Sequence, residues 1–185
     1  MKRLSRGLAA AALTLAVSAP AAQAAKTEPG ACAPRAFSSV FAAWGDNALY
    51  TLAPGGDFES RAAGWTLTGS AAVEAGSSGF ARGTSSLSLP AGASALSPPI
   101  CVEKNYPSWR FAAKSGGGKL AVEVLYPKKT KDSGTVTPSG GWSLSPVLRF
   151  STGQFTGATY IQVRFTASGQ RVRLDDVYID PRFHR

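Results

Sequence analysis

The sequence is poor in the residues that enzymes most often use for catalysis and metal binding. It contains one histidine, His184, which is the next-to-last residue, and two cysteines, Cys32 and Cys101. A Ser-His-Asp or Cys-His site would have to be built on the end of the chain, where few contacts fix a side chain. Two cysteines and a terminal histidine do not supply a zinc site of the usual kind. The sequence therefore indicates a protein that is not an enzyme.

Long apolar runs and facing pairs of acids are also missing. Beyond the amino-terminal segment, no apolar stretch reaches the roughly 20 residues of a membrane helix. The acids are scattered, except that Asp175 and Asp176 are adjacent on a predicted strand, where neighbouring side chains point to opposite faces. The paired carboxylates of a glycoside hydrolase are therefore not expected, and neither is a membrane span in the mature chain.

Basic residues outnumber acidic ones, 20 to 11, which gives a formal net charge of +9. One interpretation is solubility, and the other is attraction to an anionic cell-surface polymer. Lys128, Lys129 and Lys131 lie beside Pro127 in a predicted loop and form no long run, which favours solubility. No basic stripe is interleaved with aromatic residues, so we expect no nucleic acid partner. We also expect the protein to be a monomer.

Residues 1–24 have the three parts of a secretory signal peptide. Basic residues come first, residues 8–19 are apolar, and Ala22-Gln23-Ala24 supplies the small residues before a cleavage site. The alternative is a membrane anchor, but the apolar part is too short to span a bilayer. We therefore predict a secreted, extracellular protein.

The two cysteines predict one disulfide, because an even number of cysteines in an oxidising compartment is normally paired. A Cys32–Cys101 bond would close a loop of about 70 residues, worth about 4 kcal/mol in the chain-entropy model. The alternative, a pair of free thiols, fits a secreted protein less well. The bond would tether an irregular amino-terminal arm, residues 25–53, whose aromatic residues follow neither strand nor helix spacing.

Residues 54–185 show short alternating runs broken by glycine, serine and proline, the pattern of an all-β sandwich. In one such run, residues 159–166, Ile161, Val163 and Phe165 share a face. Turns at residues 115–118 and 168–170 predict two hairpins, and residues 127–141 predict a long, exposed, mobile loop.

The last predicted strand contains a change of phase. Val172 and Leu174 share one face, and so do Val177 and Ile179, but the two pairs are out of phase with each other. One extra residue must be absorbed at Asp175-Asp176, which predicts a β-bulge there.

Three motifs carry a family resemblance when taken in order. They are Gly55-Gly56-Asp57-Phe58-Glu59 with Gly64-Trp65, then Gly83-Thr84-Ser85-Ser86-Leu87-Ser88-Leu89, and finally Asp175-Asp176-Val177. Together they resemble the galactose-binding-domain-like β-sandwiches of carbohydrate-binding modules, over residues 54–181. The resemblance implies an all-β jelly-roll sandwich of two antiparallel sheets, with its first and last strands adjacent and the arm outside it.

The same resemblance implies a structural calcium ion. By resemblance its side-chain ligands are Glu59 and Asp176, with Asp57 a weaker candidate through its carbonyl oxygen. Calcium takes six to eight oxygen ligands, so backbone carbonyls would complete the shell. The alternative is that Glu59 caps backbone amides and that Asp176 is a solvated bulge residue.

Glycan binding is the function that the resemblance and the aromatic residues favour. Trp142 follows a long loop and is the best exposed candidate, whereas Trp44, Trp65 and Trp109 are predicted to be packed. The candidate ligand-binding residues are Trp142, Tyr160, Arg164, Arg173 and Tyr178. The two arginines are predicted on consecutive strands of a hairpin. The alternative is a solvated sheet face on which Glu123 pairs with an arginine.

We therefore expect a secreted, non-catalytic binding module for a polysaccharide or glycoconjugate. The alternative is a structural or protein-interaction domain at the cell exterior with no sugar site.

Overall fold

The computed structural model describes residues 32–127 and 129–180. The predicted signal peptide, the beginning of the arm and His184 lie outside the described residues. Within these two ranges, no helix is both long enough and apolar enough to cross a membrane.

The regular secondary structure of the described residues is all β-strand, apart from 3-10 turns at Ala42–Trp44 and Thr152–Gln154. The strands are β1 (Thr51–Leu52), β2 (Thr66–Thr68), β3 (Ala72–Ala75), β4 (Ser85–Leu89), β5 (Ser94–Leu96), β6 (Ile100–Val102), β7 (Ser108–Lys114), β8 (Lys119–Tyr126), β9 (Lys129–Val136), β10 (Ser143–Leu144), β11 (Leu148–Arg149), β12 (Thr159–Ser168) and β13 (Val172–Asp180).

The strands form two antiparallel sheets that pack face to face. Sheet A has the order β10-β7-β13-β4-β3, with β1 paired to β13 and β11 paired to β7. Sheet B has the order β2-β5-β12-β8-β9, with β6 paired to β12. The prediction of an all-β sandwich of two antiparallel sheets with an amino-terminal arm is confirmed.

The core lies between the inner faces of the two sheets. In β12, Ile161, Val163 and Phe165 are buried, as their alternation predicts. The Phe165 ring contacts Trp109 and Phe111 of β7 across the sandwich, with centroids 5.7 and 5.1 Å apart. Burying each side chain of this size contributes about 1.5–3 kcal/mol, so these residues hold the two sheets together.

The first family motif lies beside the last strand, as predicted. The Ala53 amide donates to the Val177 carbonyl at 2.9 Å, and the Val177 amide donates to the Gly56 carbonyl at 3.0 Å. Phe58 then turns into the core and packs against Trp65, with ring centroids 5.1 Å apart. Segments more than 100 residues apart in sequence therefore meet at one point of sheet A.

The predicted β-bulge is confirmed. The register of β13 against β7 shifts between Asp175 and Tyr178, and Asp176 has a positive φ of 52°. The bulge buries both acids, because Asp175 is 2% exposed and Asp176 is 3% exposed. The alternative that made Asp176 a solvated residue is therefore wrong.

Both predicted hairpins are wrong, although the turns are present. The turn after β7 leads into β8, which belongs to sheet B, and the turn after β12 leads from sheet B into β13 of sheet A. Glycine and serine make the chain reverse, but they do not determine which sheet the next strand joins. The two connections cross between the sheets.

The long loop predicted at residues 127–141 is also wrong, since residues 129–136 form strand β9. Its backbone pairs with β8 from Leu120↔Val136 to Tyr126↔Lys129. This polar strand covers an edge of β8 that would otherwise be open, which explains why its sequence lacks an apolar face.

The arm is tied to the sandwich at two places. Cys32 and Cys101 form the predicted disulfide, with Cα atoms 5.7 Å apart. Farther along the arm, the Asp46 carboxylate accepts hydrogen bonds from the Tyr50 hydroxyl at 2.6 Å and from Arg110 of β7 at 2.5 Å. The arm ends in β1, which pairs with β13 of sheet A.

The arm also covers part of the outer face of sheet A. Phe41 is fully buried, and its ring contacts Tyr178 of β13 at 5.4 Å between centroids. Trp44, which was predicted to be packed, is 49% exposed and touches Phe80 at 4.6 Å. The arm is therefore part of the folded structure and contributes both buried and exposed aromatic rings.

Candidate functional site

A tryptophan with two neighbouring cations lies on the outer face of sheet A. Trp142 precedes β10 and is partly exposed. Lys114 Nζ lies 4.9 Å from the centroid of its ring, and Arg173 Cζ lies 6.0 Å from it. Lys114 and Arg173 are opposite each other on the paired strands β7 and β13. The fold therefore brings the predicted residues Trp142 and Arg173 together and adds Lys114.

Arg173 is held rigidly by the backbone around the end of β3. Its guanidinium donates to the carbonyl oxygens of Ala75 at 2.7 Å and Gly76 at 2.9 Å, and to the Ser86 hydroxyl. These bonds fix the guanidinium beside Trp142, so its capacity to reach a ligand is small.

Lys114 has no such anchor. No hydrogen bond or ion pair of its ammonium group is found in the described part of the chain. Its attraction to the face of the indole is worth about 0.5–1 kcal/mol at an exposed position. Lys114 is therefore the cation of this cluster that is available to an anionic ligand. The position of Lys114 could have been inferred from the sequence, because alternate residues of a strand share a face and Lys114 therefore lies on the same face as Arg110 and Ala112.

The other predicted ligand-binding residues lie elsewhere. Tyr160 and Arg164 belong to β12 of sheet B, where Tyr160 is 63% exposed and Arg164 forms an ion pair with Glu123 at 3.2 Å. Tyr178 is on sheet A, but the arm covers it through Phe41. Burial, then the negative charges of Asp176 and Asp57, raises the pKa of Tyr178 to about 12. The five candidates therefore do not form one binding platform.

The three predicted calcium ligands lie near one loop, residues 76–84. Glu59 binds one end of this loop, accepting hydrogen bonds from the amides of Thr84 at 2.8 Å and Ser85 at 2.7 Å. These bonds, together with that from the Thr84 hydroxyl, hold the pKa of Glu59 below its usual value. Glu59 therefore caps backbone amides, which is the alternative that the sequence left open beside calcium.

The bulge acids hold the other side of the same loop. Asp175 accepts a hydrogen bond from the Ser78 amide at 2.7 Å, and Asp176 accepts from the Ser78 hydroxyl and the Ala81 amide. Burial, reinforced by the charge of Asp176, raises the pKa of Asp175 to about 7. The pKa of Asp176 is also raised, first by burial and then by Asp57 and Glu59.

The acids of this corner offer the type of oxygen ligand that calcium takes, but few of their side chains converge on one point. Asp57, Glu59, Asp175 and Asp176 supply hard oxygens, and none of them takes part in the ion pairs found among the described residues. No group of three or more histidine, cysteine, aspartate or glutamate side chains in residues 32–127 and 129–180 is arranged to hold a metal. An ion here would have to take further ligands from carbonyl oxygens.

Comparison with known proteins supports the fold and does not define a family. No protein-family model matches the sequence, and no curated protein matches it significantly. The enzymatically active domain of bacteriophage CBA120 tailspike protein 4 is similar in structure, with a TM-score of 0.54 and 17% identity. The similarity covers 69% of this chain and 21% of the tailspike chain.

Two further solved structures are similar. The K1 cleaved adhesin domain of Lys-gingipain from Porphyromonas gingivalis W83 has a TM-score of 0.50 and 12% identity, over 69% of this chain and 96% of that one. In fold, the chain is therefore similar to this adhesin domain. The CBM22-1 and GH10 modules of Clostridium thermocellum xylanase 10B, solved with xylohexaose, give a TM-score of 0.48 and 18% identity, over 70% and 28% of the two chains. The chain thus spans about a fifth of the tailspike chain and just over a quarter of the xylanase chain.

Proposed function

We propose that the protein is a secreted, non-catalytic binding module whose ligand is an extracellular polysaccharide or glycoconjugate. The observation that supports this function best is the Trp142 indole with Lys114 and Arg173 beside it. The fold is shared with an adhesin domain, but a fold alone does not define a function, so the proposal depends on this cluster.

The cluster combines the groups that a sugar needs. The apolar face of a pyranose ring packs on the large flat surface of an indole. A tryptophan side chain has few rotatable bonds, so it loses little conformational entropy when a ligand binds. The Lys114 ammonium can donate to a sugar hydroxyl or, more strongly, to a carboxylate or phosphate. Arg173 keeps its position through backbone carbonyls, so the cluster is organised before a ligand arrives.

Secretion is supported by two independent features. The first is the three-part segment at residues 1–24, and the second is the Cys32–Cys101 disulfide, which persists in oxidising compartments.

We also propose that a structural calcium ion lies where Asp57, Glu59 and Asp176 meet the 76–84 loop. Glu59 and Asp176 would bind it, with further ligands from Asp57 and from carbonyl oxygens of the loop. The ion would neutralise carboxylates that have no cationic partner in residues 32–127 and 129–180, and it would fix the 76–84 loop against the sandwich.

A glycan array with the protein lacking residues 1–24 tests the main proposal. We expect saturable binding to one class of glycan that falls at least about tenfold in Trp142→Ala. Tyr160→Ala is the matched control, since this exposed ring lies on sheet B.

Two results would overturn the proposed site. If Tyr160→Ala loses binding and Trp142→Ala keeps it, the site lies on sheet B. No binding to any neutral or acidic glycan, together with saturable binding to a protein partner, would favour the alternative of a protein-interaction domain.

A further inference from the structure

An open cleft of about 1160 Å³ lies at one end of the sandwich, away from Trp142. Its lining comes from the arm at residues 46–50, from residues 103–105 before β7, from residues 155–157 before β12, and from the strand ends at Arg149 and Asp180. The cleft is slightly larger than the 300–1,000 Å³ of common small-molecule pockets, so it has room for more than one sugar ring.

The arm is essential to this cleft, because it supplies five consecutive lining residues. The arm is held in place by the Cys32–Cys101 disulfide and by the hydrogen bonds from Tyr50 and Arg110 to Asp46. The cleft is therefore built partly by the segment that lies outside the family resemblance and partly by the sandwich itself.

The carboxylates in the lining are already used by the fold. Asp46 forms an ion pair with Arg110, Glu103 accepts the Cys32 amide, and Asp180 accepts the Ser108 hydroxyl at 2.9 Å. These bonds stabilise the arm and the strand ends. Arg110 neutralises Asp46, whereas Glu103 and Asp180 accept from neutral donors and keep their negative charge.

The cations and amides in the lining are not used in this way. Lys104, Arg149, Asn47 and Asn105 are all exposed. Among the residues that the structure describes, the two cations form no ion pair and the two side-chain amides form no hydrogen bond. The free hydrogen-bond donors in the lining are therefore two cations and two amides, which suit anions and hydroxyls. An anionic group has to bind beside Lys104 and Arg149 and away from the charged carboxylates of Glu103 and Asp180.

The cleft also offers apolar contact without an exposed aromatic ring. Leu49 of the arm is 41% exposed and Val147, beside β11, is 47% exposed, and both line the cleft. They are two of the four large apolar side chains that are exposed in the described part of the chain. Aliphatic side chains of this kind can contact the C–H faces of sugar rings.

We propose that this cleft is a second binding site, which takes an anionic oligosaccharide. Lys104 and Arg149 bind its carboxylate or phosphate groups, Asn47 and Asn105 bind its hydroxyls, and Leu49 and Val147 contact its rings. The proposal rests on the proposed glycan-binding function, but it assigns an independent site and a charge class to the ligand.

The test is calorimetric titration of the protein lacking residues 1–24 with an oligomer of galacturonic acid, its methyl ester, and a glycerol phosphate oligomer. The ester keeps the sugar and removes the charge, and the phosphate oligomer shows which anion is preferred. We expect an anionic oligomer to bind and the ester to bind at least about tenfold more weakly, as expected for loss of a charge-assisted hydrogen bond. Added sodium chloride should weaken binding of the anion.

The variants separate the cleft from the Trp142 cluster. Lys104→Ala and Arg149→Ala should each weaken anion binding about tenfold, and Asn47→Ala should weaken it through the arm. Lys119→Ala is the matched control, because it removes an exposed positive charge at the start of β8 in sheet B. Trp142→Ala should leave the cleft affinity unchanged.

Each contrary result points to a different failure. Equal binding of the acid and its ester, or wild-type affinity in both Lys104→Ala and Arg149→Ala, overturns the cleft. Anion binding that disappears in Trp142→Ala alone overturns the cleft and leaves the proposed function standing. Binding that depends on Arg149 while Trp142→Ala affects no glycan supports the cleft and overturns the Trp142 site.

Discussion

Gly56 and Val177 pack backbone against backbone where the first family motif meets the last strand. The Val177 amide donates to the Gly56 carbonyl at 3.0 Å. A Cβ atom on Gly56 would lie 2.7 Å from the Val177 carbonyl oxygen and 3.0 Å from the Val177 Cβ. Only glycine allows this approach, and it fixes the start of the sandwich against the β13 bulge.

We expect Gly56→Ala to destabilise the protein by roughly 1–3 kcal/mol, the usual range for overpacking in a tight interior. The added methyl meets backbone atoms on β13, which cannot move without disturbing the bulge. Urea unfolding followed by tryptophan fluorescence would measure the change.

Gly140→Ala is the matched control, because a Cβ at Gly140 meets nothing within 4 Å and the residue does not have a positive φ. It should unfold at the wild-type urea concentration. Equal stability of the two variants would contradict the close approach of Gly56 to Val177.

Local patterns in the sequence predicted much of this region. The bulge follows from the phase change between Val172 and Val177, because a strand alternates strictly between its two faces. The buried faces of β8 and β12 follow from the same alternation. The adjacency of the first and last strands came from the family resemblance instead, since no local pattern records which strands pair.

Long-range features were missed for the same reason. The turns at residues 115–118 and 168–170 are visible in the sequence, but their chemistry does not specify a crossing from one sheet to the other. Strand β9 was missed because a polar edge strand needs no apolar face.

The candidate sites were only partly predictable. Trp142 and Arg173 were identified, but the covering of Tyr178 by the arm was not, because the arm has no regular period. The cleft was missed altogether, since its lining is drawn from segments scattered between Asp46 and Asp180.

The proposed calcium ion predicts a melting temperature that depends on a chelator. EDTA should lower the melting temperature and added calcium should restore it, because an ion bound to the folded state alone stabilises it. Glu59→Gln should be less stable than wild type and should no longer respond to EDTA. Differential scanning fluorimetry would measure the melting temperatures of wild type untreated, in EDTA and with calcium restored, and of Glu59→Gln with and without EDTA.

Glu123→Gln provides the control for the loss of one carboxylate, because Glu123 pairs with Arg164 on sheet B. This variant should keep the full response to EDTA. An unchanged melting temperature of wild type in EDTA would rule out a structural calcium ion. Glu59 would then act only as a cap for the amides of Thr84 and Ser85.

The buried acids of the bulge predict an unusual dependence of stability on pH in the metal-free protein. Burial and the charge of Asp176 raise the folded-state pKa of Asp175 to about 7, whereas an unfolded aspartate has a pKa of about 3.9. Between these values the folded state binds more protons than the unfolded state. Stability must therefore fall as the pH rises from about 4 to about 7, and this group causes no further change above that range.

Two other acids, Glu59 and Asp46, have the opposite effect on how stability depends on pH. Hydrogen bonds from the Thr84 and Ser85 amides lower the pKa of Glu59. Asp46 also has a lowered pKa: burial opposes its ionisation, but bonds from Tyr50, Ala48 and Arg110 outweigh that effect. Stability from these groups is present above their unfolded pKa values of about 4 and is lost below them. The melting temperature in EDTA should consequently be highest near pH 5 and fall towards pH 7.5.

Asp175→Asn isolates the contribution of the bulge, because an amide cannot ionise and keeps one oxygen to accept the Ser78 amide. In EDTA the melting temperature of this variant should decline much less than that of wild type between pH 5 and pH 7.5. The difference between the two melting temperatures should therefore grow in favour of the variant as the pH rises. Glu123→Gln should keep the decline. Saturating calcium should flatten the wild-type profile, since a bound cation favours the ionised carboxylates that the empty site disfavours. A wild-type melting temperature that rises steadily from pH 5 to pH 7.5 in EDTA would show that Asp175 is ionised throughout this range.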